Sequence, residues 1–177
     1  MPAGTGKTVA LLSLITSYQH ANPSTGKLIY CTQTVPEMTK CMAELKLLMK
    51  YRNKELGTQN ADLLGLCLSS RKNMTTRQTN AHACKKPEGA LPPGFYDLED
   101  LKKLGKEQKQ CPYLLAWRSL SVANILVYNY QYMLDPKIAG MWSQLDSGVL
   151  GSNSIVVFDD AHNIDSYCIS VLSVALD

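Results

Sequence analysis

Apolar and polar positions fall into blocks along this chain, and the period within the blocks changes in a regular order. Residues 9–19, VALLSLITSYQ, form an apolar-rich segment long enough for a helix. LIYC (28–31) is a short continuous apolar run, the pattern of a strand buried on both faces of a parallel sheet. In the following stretch, TVPEMTKCMAELKLLMKY, Thr34 and Glu37 fit a capping box, and Pro36 falls in the first turn, where its missing donor costs nothing. Met38, Met42, Leu45 and Met49 then recur at helical spacing and read as core rather than as a ligand site. LLGLCLSS (63–70) is a second strand. From Arg71 the period is lost: RKNMTTRQTNAHACKKPEGALPPG reads as a loop or an inserted lobe. DLEDLKKL (97–104) resumes helical spacing with Asp97 as its N-cap, and PYLLAWRSLSV (112–122) is a helix with Pro at its start. NILVYNY (124–130) and SIVVF (154–158) are the last two strands. Apolar strands alternating with helices predict an α/β domain built on a mostly parallel sheet.

Composition changes this picture little. The chain has 177 residues, enough to bury one real core, with 45% apolar and 19% charged residues. A net charge of +3, from 18 basic and 15 acidic residues, is too slight to argue for nucleic acid on its own. No apolar run reaches the ~20 residues of a membrane span, and neither a basic n-region nor a cleavable hydrophobic segment opens the chain. The expected setting is an intracellular, reducing compartment. There the six cysteines are thiols or metal ligands rather than disulfides.

Two segments carry chemistry. The chain opens MPAGTGKT, in which Gly4 and Gly6 allow backbone N–H groups to turn around phosphate oxygens. Lys7 reaches the terminal phosphates, Thr8 offers a hydroxyl to magnesium, and the following helix aims its positive end at the same anion. The full phosphate-loop pattern asks for a glycine where Met1 stands, and a glycine turn before an ordinary helix is the alternative. Such a loop hangs between a strand and a helix, whereas this chain begins inside the loop. The expectation is a missing first strand, from a fragment or from a reading frame that starts at an internal methionine. The second segment is IVVFDDAHNID (155–165). Its adjacent acids, Asp159 and Asp160, repel unless positive charge or water is near. Beside a phosphate loop, Asp159 would hold Mg²⁺ and Asp160 would polarise the attacking water. A solvated turn is the alternative for an isolated pair.

Taken in order, MPAGTGKT, LIYCTQTVPEM, LGLCLSSRKN, CPYLLAWRSL, VYNYQYMLDPKIA and VVFDDAHNID resemble the XPD family of superfamily 2 iron–sulfur DNA helicases. The resemblance covers nearly the whole chain except the loop from 74 to 90. It implies ATP- and Mg²⁺-dependent 5′-to-3′ unwinding, a 4Fe–4S cluster, single-stranded or forked DNA and TFIIH subunits as partners, and a nuclear setting in nucleotide excision repair and transcription initiation. No membrane partner is implied. The fold implied is a RecA-like P-loop NTPase lobe. Residues 1–70 are its first part, 71–122 a shortened iron–sulfur or arch-type insertion with following helices, and 123–177 the return to the lobe with a DEAH-like box.

By the same resemblance Gly4, Thr5, Gly6, Lys7 and Thr8 bind nucleotide, Thr8 and Asp159 hold magnesium, and Lys7, Asp159, Asp160 and His162 are catalytic. Asp160 stands where the family has Glu. Its carboxylate is shorter by one methylene, about 1.5 Å, a displacement that can cost about a hundredfold in rate. ATP binding is expected to survive this change and hydrolysis to suffer. In CTQT the family's arginine is Gln33, so a guanidinium fork to phosphate becomes a neutral amide. Thr34 is retained, as a DNA contact or only as a helix cap, and Arg71 with Lys72 would touch a DNA backbone or stand as solvated charge. Of the cluster ligands, Cys111 matches the last and Cys84 the third. Thr75 stands at the first, so only two of four thiolates are placed. His82 is a makeshift ligand or a surface histidine. Cys31, Cys41 and Cys168 read as small packed hydrophobes. Tyr128, Tyr130 and Tyr132 alternate, as base-stacking rings or as a packed strand. Two further readings stay open: a non-catalytic remnant that binds nucleotide, single-stranded DNA or a TFIIH-type partner, and a small P-loop kinase.

Overall fold

The computed structural model describes residues 6–57, 63–75, 89–136, 138, 151 and 153–173. Five strands make one sheet: β1 (Leu28–Thr32), β2 (Leu64–Leu68), β3 (Gly94–Tyr96), β4 (Ile125–Asn129) and β5 (Ile155–Phe158). They lie in the order β3-β2-β4-β1-β5, and every pairing is parallel. Leu28 is level with Ile125 of β4 on one side and with Ile155 of β5 on the other. The continuous apolar runs explain the placement. Every residue of β1, β2 and β4 is buried, as a central strand covered on both faces requires, whereas β5 at the edge is only partly covered.

Helices α1 (Lys7–Ala21) and α2 (Val35–Leu56) precede and follow β1. Thr34 caps α2: its hydroxyl accepts from the Glu37 N–H while the Glu37 carboxylate accepts from the N–H of Thr34 and of Gln33. This is the capping box expected from the sequence. Met38, Met42, Leu45 and Met49 face the sheet and are essentially inaccessible. Burying each such side chain is worth about 2 kcal/mol, so the stripe alone accounts for much of the α2 docking energy. On the other flank lie α4 (Leu98–Glu107) and α5 (Pro112–Ser119), with Asp97 capping α4 as predicted.

The segment read as a loop from Arg71 is more structured at its ends than its composition predicts. A single helical turn, α3 (Arg71–Met74), follows β2, and β3 adds a fifth strand. The Phe95 ring of β3 lies where a Cβ on Gly65 would be, 2.6 Å from its nearest atom, which explains a glycine inside the apolar strand β2. The last described elements are a turn of helix α6 (Gln131–Leu134), a 3₁₀ turn (Ala161–Asn163) and α7 (Ile164–Leu172). Tyr128, Tyr130 and Tyr132 are all buried, packed as core rather than displayed for stacking, although Tyr132 belongs to α6 and not to a strand. No helix among the described residues is long and apolar enough to cross a membrane.

Candidate nucleotide site

The amino end of α1 and the carboxyl end of β5 meet at one corner of the sheet. Gly6 stands before α1 with φ 74° and ψ 18°, a left-handed backbone that glycine adopts without a Cβ penalty. Among the described residues no side chain caps the helix and no acidic residue lies in its first turn, so its first N–H groups and partial positive charge suit an anion. Gly4 and Thr5 lie outside the described residues. Lys7 and Thr8 form the first turn, both half-buried.

Opposite them, β5 delivers the two acids. The Asp159 N–H donates to the Cys31 carbonyl at 2.9 Å, extending the β1–β5 ladder by one rung, and the Tyr130 hydroxyl donates to the Asp159 carbonyl. Tyr130 is itself wedged between Phe158 and Tyr167, ring centroids 5.9 and 6.0 Å away. Asp160 then turns left-handed, φ 47° and ψ 50°, and its N–H donates to Asp159 Oδ1 at 3.1 Å. A non-glycine residue held in this region stores strain, of order 1 kcal/mol, and aspartate is among the few that tolerate it.

Lys7 Nζ lies 3.7 Å from Asp160 Oδ1, with the two side chains 36% and 48% exposed. A pair this wet contributes little stability, so the arrangement is open to a competing anion. Asp159 faces inward instead. Burial first, and then the Asp159 charge, raise the Tyr30 phenol above its ordinary pKa, and Thr8 adjoins the same hydroxyl. Burial and the two aspartates push the Tyr130 phenol up to about 12, so both rings stay neutral donors. The structure therefore brings together Lys7, Thr8, Asp159 and Asp160. His162, exposed in the 3₁₀ turn, makes no hydrogen bond or ion pair with them among the described residues.

A second feature opens at the same end of the sheet. A cavity of about 200 Å³ is lined by Gln33, Thr34, Ser70, Asn73, Asn129 and Gln131, with Val35 and Tyr167. These neutral amides and hydroxyls follow the carboxyl ends of β1, β2 and β4, where open parallel sheets bind ligands. Arg71 is exposed on α3, between Ser70 and Asn73 in sequence. The sequence pattern singled out Gln33 and Thr34 in this lining, and Arg71 with Lys72 nearby in the chain. The signal for the others was polar residues at or shortly after the ends of the buried strands β2 and β4. Of the metal candidates, Cys111 is buried ahead of α5, and Cys84 with His82 lies outside the described residues. Among the described residues no three His, Cys, Asp or Glu side chains could share an ion.

Comparison with known proteins decides the lineage. The DEAD_2 family model matches residues 30–86 and 76–177. The chain belongs to the DEAD_2 family. Within DEAD_2 it is 46% identical to the general transcription and DNA repair factor IIH helicase subunit XPD of Arabidopsis thaliana, covering 99% of this chain and 28% of that protein. Against the same-named subunit of Dictyostelium discoideum the identity is 42%, over 100% of this chain and 26% of that protein. It thus spans little more than a quarter of the length of these relatives. A regulator of telomere elongation helicase 1 homolog from Drosophila mojavensis is 30% identical over 85% of the chain and 16% of its own length. Among solved structures, a truncated XPD superposes with TM-score 0.62 and 21% identity, covering 94% of this chain and 48% of that one. An XPD helicase gives 0.59 and 20%, covering 94% and 29%. These likenesses support the RecA-like reading of the DEAD_2 sheet.

Proposed function

We propose that this chain is the ATP-binding part of an XPD-type, ATP-dependent 5′-to-3′ DNA helicase that works with TFIIH-type partners in the nucleus. One observation carries the reading: the first turn of α1 and the paired acids after β5, remote in sequence, sit within 3.7 Å at the carboxyl end of a parallel sheet. Gly4, Thr5, Gly6 and the first amides of α1 cradle the phosphates, and Lys7 leaves Asp160 to pair with the terminal ones. Thr8 and Asp159 are the protein ligands for magnesium, which needs only one or two because phosphate and water complete its shell. An uncapped helix end free of acids and a buried, unpartnered Tyr30 hydroxyl at that corner fit this group. When bound, magnesium supplies positive charge to the phosphate oxygens. Asp160 orients the attacking water, and His162 belongs to the same box without touching the phosphates.

The 4Fe–4S cluster of the family does not fit these cysteines. Cys31 and Cys67 are fixed in central strands and Cys41 in α2, where burial pushes their thiols up and disfavours the thiolate a metal needs. Only Cys84 and Cys111 remain near the inserted segment, so no step is derived through a cluster. The polar cavity beside Thr34 and Arg71 is the proposed track for single-stranded DNA, its neutral lining trading salt-sensitive grip for hydrogen bonds.

In the same proposal residues 1–70 and 123–177 carry the nucleotide lobe and 71–122 the shortened insertion with its following helices, out of which β3 returns to the lobe's sheet beside β2. Titration with a fluorescent ATP analogue and Mg²⁺ tests the proposal. Saturable binding that Lys7→Ala weakens is expected, and a wild-type chain that binds no nucleotide would overturn it. Turnover separates the remaining alternatives. The short Asp160 side chain and its ion pair with Lys7 favour binding with little hydrolysis, the remnant reading. DNA-stimulated ATPase that rises about a hundredfold in Asp160→Glu would favour a working helicase, and phosphate transfer to a small acceptor would favour a kinase.

A further inference from the structure

Tyr30 is a polar residue in a strand that has no need of one. Its ring is fully buried at the middle of β1, and its hydroxyl, shut off from solvent, has no hydrogen-bond partner among the described residues. Phenylalanine would fill nearly the same space without leaving a polar group unpaired, and buried hydroxyls in folded proteins are nearly always satisfied. The fold shows where the hydroxyl is directed. Tyr30 is level with Val157 of β5, so by the alternation of strand side chains Tyr30, Val157 and Asp159 leave the sheet on one face. Thr8, from the first turn of α1, adjoins the hydroxyl from the helix side, and Asp159 does so from the strand side. Two groups adjoining this donor are thus the two assigned above to magnesium.

We propose that Tyr30 is a positioning residue of the magnesium–nucleotide site, its hydroxyl held in reserve to donate to the Asp159 carboxylate once that carboxylate and Thr8 engage the cation. The inference rests on the nucleotide reading and adds to it a group outside the metal's own ligands. Without ligand the Asp159 carboxylate accepts from the Asp160 N–H, and the phenol stands beside it and Thr8 without a well-formed hydrogen bond. With the cation bound, the carboxylate is fixed in one orientation and its remaining oxygen lone pairs need a donor. Such outer partners orient the ligand and typically change metal affinity by about ten- to a hundredfold.

Tyr30→Phe separates this role from simple packing. Two quantities are measured on the purified chain: the Mg²⁺ concentration giving half-maximal binding of a fluorescent ATP analogue, and the thermal midpoint without ligand. The expected result is a magnesium midpoint raised about tenfold, with the ligand-free midpoint temperature unchanged or higher because no bond is lost there. An unchanged magnesium midpoint in a variant that binds nucleotide overturns the proposal while leaving the nucleotide site standing. A lower melting temperature with equal weakening at all magnesium levels assigns Tyr30 to packing and also overturns it. A wild-type chain that binds no nucleotide overturns both.

Discussion

The chain twice places one lysine against two carboxylates, and the two clusters have different fates. At Lys46 the ammonium of α2 bridges Asp97 and Asp100, which already cap each other's backbone N–H groups at the start of α4. Each polar group there has its partners. At Lys7 the ammonium has, among the described residues, one distant ion pair with Asp160, and the Tyr30 hydroxyl beside Asp159 has no well-formed partner. A saturated cluster ties α2 to α4; an unsaturated one leaves hydrogen-bonding positions open for the ligand proposed above. The same residue types serve as a brace or as a receptor according to how many of their hydrogen-bonding positions the fold leaves open.

Exchanging the lysines tests the contrast most strongly. Lys7→Ala should lower Mg²⁺-nucleotide affinity by about ten- to a hundredfold, the range of one charge-assisted hydrogen bond, with an unaltered denaturation midpoint. Lys46→Ala should do the reverse, costing about 2 kcal/mol in a urea titration while nucleotide affinity holds. If both variants lose stability and binding together, the two clusters are not separable. Gly6→Ala sharpens the receptor side: alanine is disfavoured at φ 74°, so about 1 kcal/mol of stability and part of the phosphate grip should go together.

Acid gives the smallest effect. Burial alone would raise Asp97, but hydrogen bonds from Lys46 and from the Asp100 N–H outweigh it and hold the carboxyl below its ordinary value. A lowered folded pKa means stabilisation that is present above the unfolded value, about 3.9, and disappears as pH falls through the folded one. Lys46→Met should flatten the stability curve in that window. Lys7→Met should leave it as it is.

Much of this was legible because its causes are local. The Thr34–Glu37 box and the Met38–Met49 stripe lie within single turns or single helices, and the central strands declare themselves by unbroken apolar runs. The loop reading after Arg71 missed β3 because three residues beginning with a glycine have no period, and their pairing with β2 is settled by Phe95 covering Gly65. Asp97 could be read as a cap, yet nothing near it names Lys46. Lys7 and the DDAH segment suggested each other only through their shared chemistry. The hydroxyls of Tyr30 and Tyr130 gave no such hint, since their neighbours arrive from α1, β4 and β5 and exist only after the sheet has assembled.

The acids ride on the outermost strand. Among the described residues β5 is bonded to β1 alone, while β1 and β4 are each held from both sides. Amide deuteration should therefore proceed from the margin inward, with Val156 and Val157 exchanging well before Leu126 and Val127. Whatever lines up along that outer margin would steady Asp159 and Asp160 without touching either.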